Sequence, residues 1–279
     1  MRKTLGTVII ALWCASLPVS AQVQQSGNRT GWPCGGKVDP SYIQTAEATG
    51  GRVLLFAPTE LGGITDEMNA SRGHDETVMR VGGELTQGQR DFDVPIDSSI
   101  DSIYVFVSVQ CLQTVAVIPP PGGEFNAAAP GVETHEFAAI RLVTIKAPSP
   151  GTWRIGVAGR GVFSLIVKAH SSISLGDVSF SRDGTPIVAP APLGARVRVE
   201  AAVSGAPADV SFRFITMDGS RLGSFVPSIT RTNETANETT TYANDVTLPS
   251  SDFRVLVTGL DAKGFAFQRV SPRLFVGDR

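Results

Sequence analysis

Histidine, cysteine and aromatic residues are scarce in this chain of 279 residues, which has three His, three Cys and 7% aromatic residues. Few histidines leave few general bases and few metal ligands, because His most often fills these roles near neutral pH. Charged residues make up 18% of the chain, its formal net charge is −2, and it has no basic patch of the kind that nucleic-acid binding needs. A hydrophobic content of 42% excludes a disordered chain.

Sequence motifs for enzymatic chemistry are missing as well. The stretch HEFAA at residues 135–139 begins like the zinc motif H-E-x-x-H, but Ala139 replaces the second histidine. Neither a G-x-S-x-G nucleophile elbow nor a glycine-rich phosphate loop is present. A Ser-His-acid triad assembled from distant residues is the remaining enzymatic alternative. We therefore expect a protein that is not an enzyme and uses no cofactor.

The N-terminus has the features of a signal peptide. Arg2 and Lys3 precede an apolar run at residues 7–17, and the small-residue sequence VSA at 19–21 places the cut before Gln22. The apolar run is too short to span a bilayer, and no later run is longer. We expect residues 1–21 to be removed and the mature protein to be secreted, or periplasmic in a Gram-negative bacterium.

Two cysteines, Cys34 and Cys111, remain after that cut. An even number in an oxidising compartment permits one disulfide, and the alternative is a buried Cys111 with a free Cys34.

Four N-x-[ST] sequons would be glycosylation candidates in a eukaryotic secretory pathway. They begin at Asn28, Asn69, Asn233 and Asn237.

One helix and one strand form an isolated unit within an otherwise loose segment at residues 22–74. Asp39 is suited to cap the helix, Pro40 to its first position, and Gly50 to its left-handed C-terminal end. The apolar stretch RVLLF at residues 52–56 predicts a strand, and the turn-rich residues 57–74 predict a linker, with a short helical turn within it as the alternative. Because no parallel neighbours follow, we expect the chain from Asp75 onward to fold without this unit.

From Asp75 the hydrophobic pattern is that of β-strands. Alternation in residues 147–169 predicts a strand, a hairpin at the glycine-rich residues 159–161, and a second strand. About seven strands are predicted in residues 75–170, and a second series follows in residues 171–279. The predicted fold is mainly β, with two tandem antiparallel β-sandwich modules of immunoglobulin/fibronectin-like or jelly-roll-like type.

Several segments resemble the region that follows the von Willebrand A domain in hemicentins and related extracellular proteins. They are SYIQTAEATGGRVLLF, DFDVPIDSSIDSIYVFVS, PSPGTWRIGV, SISLGDVSFSR and FRVLVTGLDAKGFAFQRVSPRLF. The resemblance implies that the helix and strand are a remnant of an A domain whose body is absent, and that the protein is extracellular and structural or adhesive. The first module also resembles a small β-sandwich appended to secreted bacterial peptidases, which is accessory rather than catalytic.

Four carboxylates lie close together in sequence and are weak calcium candidates, because calcium binds clustered oxygen ligands. They are Asp91, Asp93, Asp97 and Asp101, and the alternative is a solvated strand end and turn. Residues 97–101 approach the A-domain metal signature D-x-S-x-S, but Asp101 stands where its second serine belongs. Alternation places Trp153 in the core rather than in a ligand site.

These patterns favour a secreted, non-enzymatic structural or adhesive protein that mediates protein–protein, matrix or envelope contacts. We expect a protein partner or self-association, no nucleic acid and no membrane span. Strand 52–56, an exposed sheet edge and the loops at 124–134 and 230–241 are the expected contact surfaces. The alternative function is a carbohydrate- or calcium-binding accessory module of a secreted hydrolase system.

Overall fold

The computed structural model confirms a mainly β protein, with 64% of residues in strands and 8% in helices. It describes residues 8–12, 34, 38–56, 58–70, 76–121, 125–188, 191–205, 207–233 and 239–277. The helices are α1 (Pro40–Thr49) and α2 (Leu61–Ala70), and a 3-10 turn at Pro58–Glu60 precedes α2. Residues 57–74, interpreted as a linker from sequence, therefore contain a second helix.

The strands form antiparallel sheets. In chain order they are β1 (Val8–Leu12), β2 (Arg52–Phe56), β3 (Glu76–Ile96), β4 (Ile100–Ile118), β5 (Val132–Glu136), β6 (Ile140–Lys146), β7 (Gly151–Ser171), β8 (Ser174–Arg182), β9 (Thr185–Ile187), β10 (Arg196–Ser204), β11 (Ala208–Ile215), β12 (Arg221–Phe225), β13 (Ser228–Asn233), β14 (Thr239–Thr247), β15 (Arg254–Leu260) and β16 (Ala266–Val270). Strands β3 to β7 make the first unit, and strands β8 to β16 make the second unit.

The first unit is one sheet with the strand order β3-β7-β4-β6-β5. The hairpin predicted at residues 159–161 is wrong, because β7 runs without a turn from Gly151 to Ser171. A Cβ on Gly159 would lie 2.6 Å from the Cys111 carbonyl oxygen, and one on Gly161 would lie 2.5 Å from Oε1 of Gln110. These glycines permit close approach to β4 where the register shifts, so they mark bulges and not a turn.

The long strands of the first unit bend so that the sheet folds back on itself. Phe92 lies opposite Ile155 in the ladder, yet its ring centroid is 5.9 Å from that of Phe163. Eight residue steps along a straight strand would separate these positions by about 26 Å. The two halves of the sheet thus enclose one core, which makes the unit sandwich-like and reduces the seven predicted strands to five.

The second unit is a sandwich of two antiparallel sheets. Their orders are β13-β14-β10-β8-β9 and β12-β11-β15-β16. The alternating apolar residues of β10, β11 and β15 point into the core between the sheets. Aromatic rings fill the centre of that core with edge-to-face and tilted contacts, from Phe180, Phe212, Phe214, Phe253 and Phe275.

Helix α1 and strand β2, here called the helix–strand unit, pack against the first unit in the same chain. Asp39 caps α1 by accepting a 2.9 Å hydrogen bond from the Ser41 amide, and Gly50 ends it with a φ of 74°. Both ends match the sequence prediction. Side chains of β2 cover the outer face of the first sheet, in a cluster that contains Leu54, Phe56, Ile64, Tyr104, Phe106, Ile140, Leu142 and Ile166.

Candidate interaction surfaces and the buried charges that position them

Glu47 on α1 joins the helix–strand unit to both β units. Its side chain is 2% exposed, and its Oε2 atom accepts a hydrogen bond of 3.1 Å from Nε of Arg80 on β3. Arg254 on β15 forms an ion pair with the same carboxylate. The backbone carbonyl of Glu47 also accepts a 2.7 Å hydrogen bond from the amide of Leu274. The helix predicted to be a dispensable remnant therefore contributes a buried carboxylate to the junction of the two units.

Two guanidinium groups share this one carboxylate. Burial lowers the pKa of Arg80 to about 10 and that of Arg254 to about 9. Arg80 compensates with further hydrogen bonds to the carbonyl oxygens of Gly50 and Gly51. In the described part of the chain, Nε and Nη1 of Arg254 have no hydrogen-bond partner. Arg254 is thus the less well satisfied of the two buried cations.

A second buried ion pair ties the first unit to the last strand. Nη1 of Arg269 on β16 donates to Oδ2 of Asp97 at 2.8 Å, and both side chains are fully buried. Arg269 also donates from Nε to the carbonyl oxygen of Ile173, between the two units. The other Asp97 oxygen accepts a 3.1 Å hydrogen bond from the amide of Ser99. Asp97, a calcium candidate in the sequence, is occupied as a structural partner of Arg269.

The structure does not bring the four candidate carboxylates together. Asp91 accepts a hydrogen bond of 2.6 Å from Gln89, Asp93 pairs with Arg154 at 3.1 Å, and Asp101 lies 2.8 Å from Nδ1 of His170. No group of three or more His, Cys, Asp and Glu side chains suited to a metal ion occurs in the described residues. Each carboxylate instead has its own local partner.

Cys34 and Cys111 are joined by a disulfide, with Cα atoms 4.8 Å apart. This bond attaches the segment before α1 to the middle of β4.

Of the sequons, Asn69 lies on α2 and Asn233 at the end of β13, whereas Asn28 and Asn237 lie outside the described residues. Trp153 is buried, as predicted, and its indole donates to the carbonyl oxygen of Ser149.

A groove of about 890 Å³ opens where the helix–strand unit meets the second unit. Its walls are the end of α1, strand β8, and the segment after β16, and it contains Leu175, Asp177, Val188, Arg273 and Leu274. Sequence reasoning missed this groove because three distant segments build it. Two of them, SISLGDVSFSR and the end of FRVLVTGLDAKGFAFQRVSPRLF, were noted only for their family resemblance.

One side of β8 is open toward this groove. Strand β10 pairs with β8 along its length, but β9 pairs only with residues 180–182. Residues 174–179 therefore have no strand partner on that side in the described part of the chain. Val188, just beyond β9, is 89% exposed. An extended peptide would find an exposed strand edge and apolar side chains here, while the amide of Leu175 already donates a 3.0 Å hydrogen bond to Oε2 of Glu76.

Comparison with known families gives a match for the first unit. Residues 77–172 match the family model described as hemicentin galactose-binding domain-like. The predicted hemicentin-like resemblance is thus confirmed for these residues, and the von Willebrand A remnant stays a prediction. The matched segment is almost the whole of β3 to β7, so α1 and all the residues that line the groove lie outside it.

Comparisons of the whole chain are less informative. No curated protein matches this sequence significantly. The crystal structure of Bacillus licheniformis lipase BlEst2 in its propeptide form matches 73% of this chain with 15% identity and a TM-score of 0.37. The chain spans 42% of that protein's length. Neither helix in the described residues is long and apolar enough to cross a membrane.

Proposed function

We propose that the protein is a secreted, non-enzymatic adhesive module that binds an extended segment of a protein partner in the groove beside β8. The observation that carries this proposal is the open side of β8 at residues 174–179, next to a groove lined by both apolar and charged side chains. The hemicentin-like match of residues 77–172 supports an extracellular interaction role. Secretion follows from the predicted signal peptide at residues 1–21.

Binding would occur by strand addition. A partner segment lying along β8 would form main-chain hydrogen bonds and place alternate side chains against the groove wall. Leu175 and Val188 offer apolar surface, while Asp177 and Arg273 lie exposed at the same groove and would orient a polar segment of the partner. The buried Glu47 and Asp97 ion pairs hold the walls in fixed positions, which reduces the ordering cost of binding.

Peptide display against the mature protein tests this function. We expect enrichment of extended peptides with alternating aliphatic residues, and at least tenfold weaker binding of those peptides to Val188→Arg. Val226→Arg is the matched control, because Val226 is also a strongly exposed valine (78% against 89%) but is not part of the groove. Equal binding to both variants, or no enriched peptides, would contradict the groove as the binding site.

Carbohydrate binding is the second candidate function, because the matching family is described as galactose-binding domain-like. A glycan array that includes galactose-terminated glycans distinguishes the two candidates. Dose-dependent glycan binding by the mature protein, without peptide enrichment, would favour the accessory carbohydrate-binding role. Binding of peptides and not of glycans would favour adhesion to protein.

Secretion and the lack of catalysis have their own tests. The N-terminal residue of the exported protein, determined by sequencing, should be Gln22, and Met1 at this position would contradict the predicted signal peptide.

Fluorogenic ester, glycoside and peptide substrates should show no turnover above buffer. Turnover that is lost on mutation of His135 or His170 would instead support the enzymatic alternative.

A further inference from the structure

Strand β2 is covered on both faces and paired along one edge. Leu54 and Phe56 face the first sheet, whereas Val53 and Leu55 belong to a separate cluster with Ala46 of α1. Its strand neighbour in the described part of the chain is β1, which pairs antiparallel from Val8 opposite Phe56 to Leu12 opposite Arg52. All five residues of β2 thus have a defined partner position.

The strand that fills this edge lies in the segment predicted to be removed. Strand β1 is the sequence VIIAL at Val8–Leu12, inside the apolar part of the predicted signal peptide. Cleavage before Gln22 would take β1 away and leave main-chain N–H and C=O groups along the β2 edge without partners. Such an edge recruits another strand, because unpaired backbone groups are costly beside buried apolar side chains.

We infer that, in the mature protein, β2 accepts one antiparallel aliphatic strand donated by a partner polypeptide, in the position that β1 holds in the precursor. The inference rests on the proposed adhesive function, and it adds a second contact surface that is separate from the groove. The required chemistry is given by the segment that fits: five consecutive residues with no charge and no proline, three of them β-branched. Strand addition then supplies main-chain hydrogen bonds along the whole of β2.

Hydrogen exchange on the mature chain from Gln22 tests this inference, with the peptide TVIIALW carrying solubilising lysines at its ends as the probe. The amides of residues 52–56 that point toward β1 should exchange at least tenfold faster in the mature protein than in the uncleaved chain, and the peptide should slow them again. The control peptide has Ile10→Pro, which removes a central donor and breaks the strand pairing. It should leave exchange unchanged.

Several results would overturn the inference. They are slow exchange of residues 52–56 in the mature protein without peptide, equal protection by both peptides, or protection that rises with protein concentration together with dimer formation. The last result would make a second copy the occupant. The Val188→Arg variant should bind TVIIALW with unchanged affinity, so loss of groove binding and loss of β2 binding can be told apart.

Discussion

Buried charges at the junction distinguish two kinds of ion pair in this chain. Asp97 and Arg269 are fully buried, whereas Asp93 and Arg154 form a similar pair at the surface with side chains 61% and 54% exposed. A buried charge that loses its partner is strongly destabilising, while an exposed pair contributes little. The local sequences do not distinguish these two aspartates, which are four residues apart in the same DFDVPID stretch.

Arg269→Met should lower the free energy of unfolding by about 3–5 kcal/mol, because it leaves the Asp97 carboxylate buried without its cation. Urea denaturation of the mature protein measures this loss. Arg154→Met is the matched control and should cost less than about 1 kcal/mol. Equal effects of the two substitutions would show that the Asp97–Arg269 pair is not buried in solution.

Arg254 and Arg80 should respond differently to the same substitution. Arg254→Met removes the cation whose pKa burial lowers to about 9 and whose Nε and Nη1 have no partner in the described residues, so we expect a change within about 1 kcal/mol or a stabilisation. Arg80→Met should cost about 3–5 kcal/mol, because Arg80 holds Glu47 and the end of α1. Chemical denaturation of both variants gives the comparison, and a larger loss for Arg254→Met would contradict this assignment.

At the scale of elements, β2 and α2 cover a face of the first sheet that β-sheet alternation alone leaves exposed. Tyr104, Phe106 and Ile166 lie on the side of the first sheet that faces away from its own core, and β2 and α2 bury them. This burial argues against the expectation that the chain from Asp75 folds by itself, which stays a prediction. Helix α1 brings Glu47 to Arg80 and Arg254.

Removal of residues 22–74 from the mature protein should abolish cooperative unfolding or cause aggregation. The deletion exposes this aromatic and aliphatic face, and it removes Glu47, the carboxylate with which the buried Arg80 and Arg254 pair. Calorimetry and binding of a hydrophobic dye measure the outcome, with the chain from Gln22 as the control. A cooperative transition at an unchanged temperature would show that the helix–strand unit is dispensable after all.

The disulfide attaches the segment that leads into α1. Mass spectrometry of the non-reduced mature protein should detect no alkylatable thiol, and two free thiols would contradict the bridge. Joint replacement of Cys34 and Cys111 by serine should cost about 4.5 kcal/mol of stability in the chain-entropy account, because the bond closes a loop between residues 77 positions apart. Denaturant unfolding of this double variant measures that cost.

At the scale of the whole molecule, the two units are joined by polar contacts as well as by α1. Oδ2 of Asp261, in the turn between β15 and β16, accepts a hydrogen bond of 2.7 Å from the amide of Ser98 in the first unit. Burial raises the pKa of Asp261, but hydrogen bonds from Ser98, Phe265 and Lys263 together lower it below its usual value of 3.8. The ionised carboxylate is therefore the form that holds the units together.

This contact predicts an acid-sensitive junction. The pKa of Asp261 is lower in the folded than in the unfolded protein, so its stabilisation is fully present above the usual value of 3.8 and is lost as the pH falls through the lowered value. Asp261→Asn should be less stable at neutral pH and should lose less stability on acidification. Asp183→Asn, at an exposed turn, is the control and should follow the parent protein. Identical acid profiles for Asp261→Asn and the parent would contradict the prediction.

Local signals in the sequence were sufficient for the class of fold and for the ends of α1. Period-two alternation reports which side chains face inward, and the Asp39 cap and the Gly50 left-handed end act within one helical turn. The glycines at 159 and 161 were misread because a turn and a close strand approach require the same residue type. Only the neighbouring strand β4 distinguishes the two.

Tertiary structure alone decided the pairing of Asp97 with Arg269, 172 residues apart, and the position of Glu47 between Arg80 and Arg254. It also decided the groove, whose walls come from α1, β8 and the segment after β16. Sequence by itself determined the alternation, the caps and the predicted signal peptide. The physical reason is range: steric preferences and capping act between near neighbours, whereas ion pairs and grooves depend on which distant surfaces the folded sheets bring into contact.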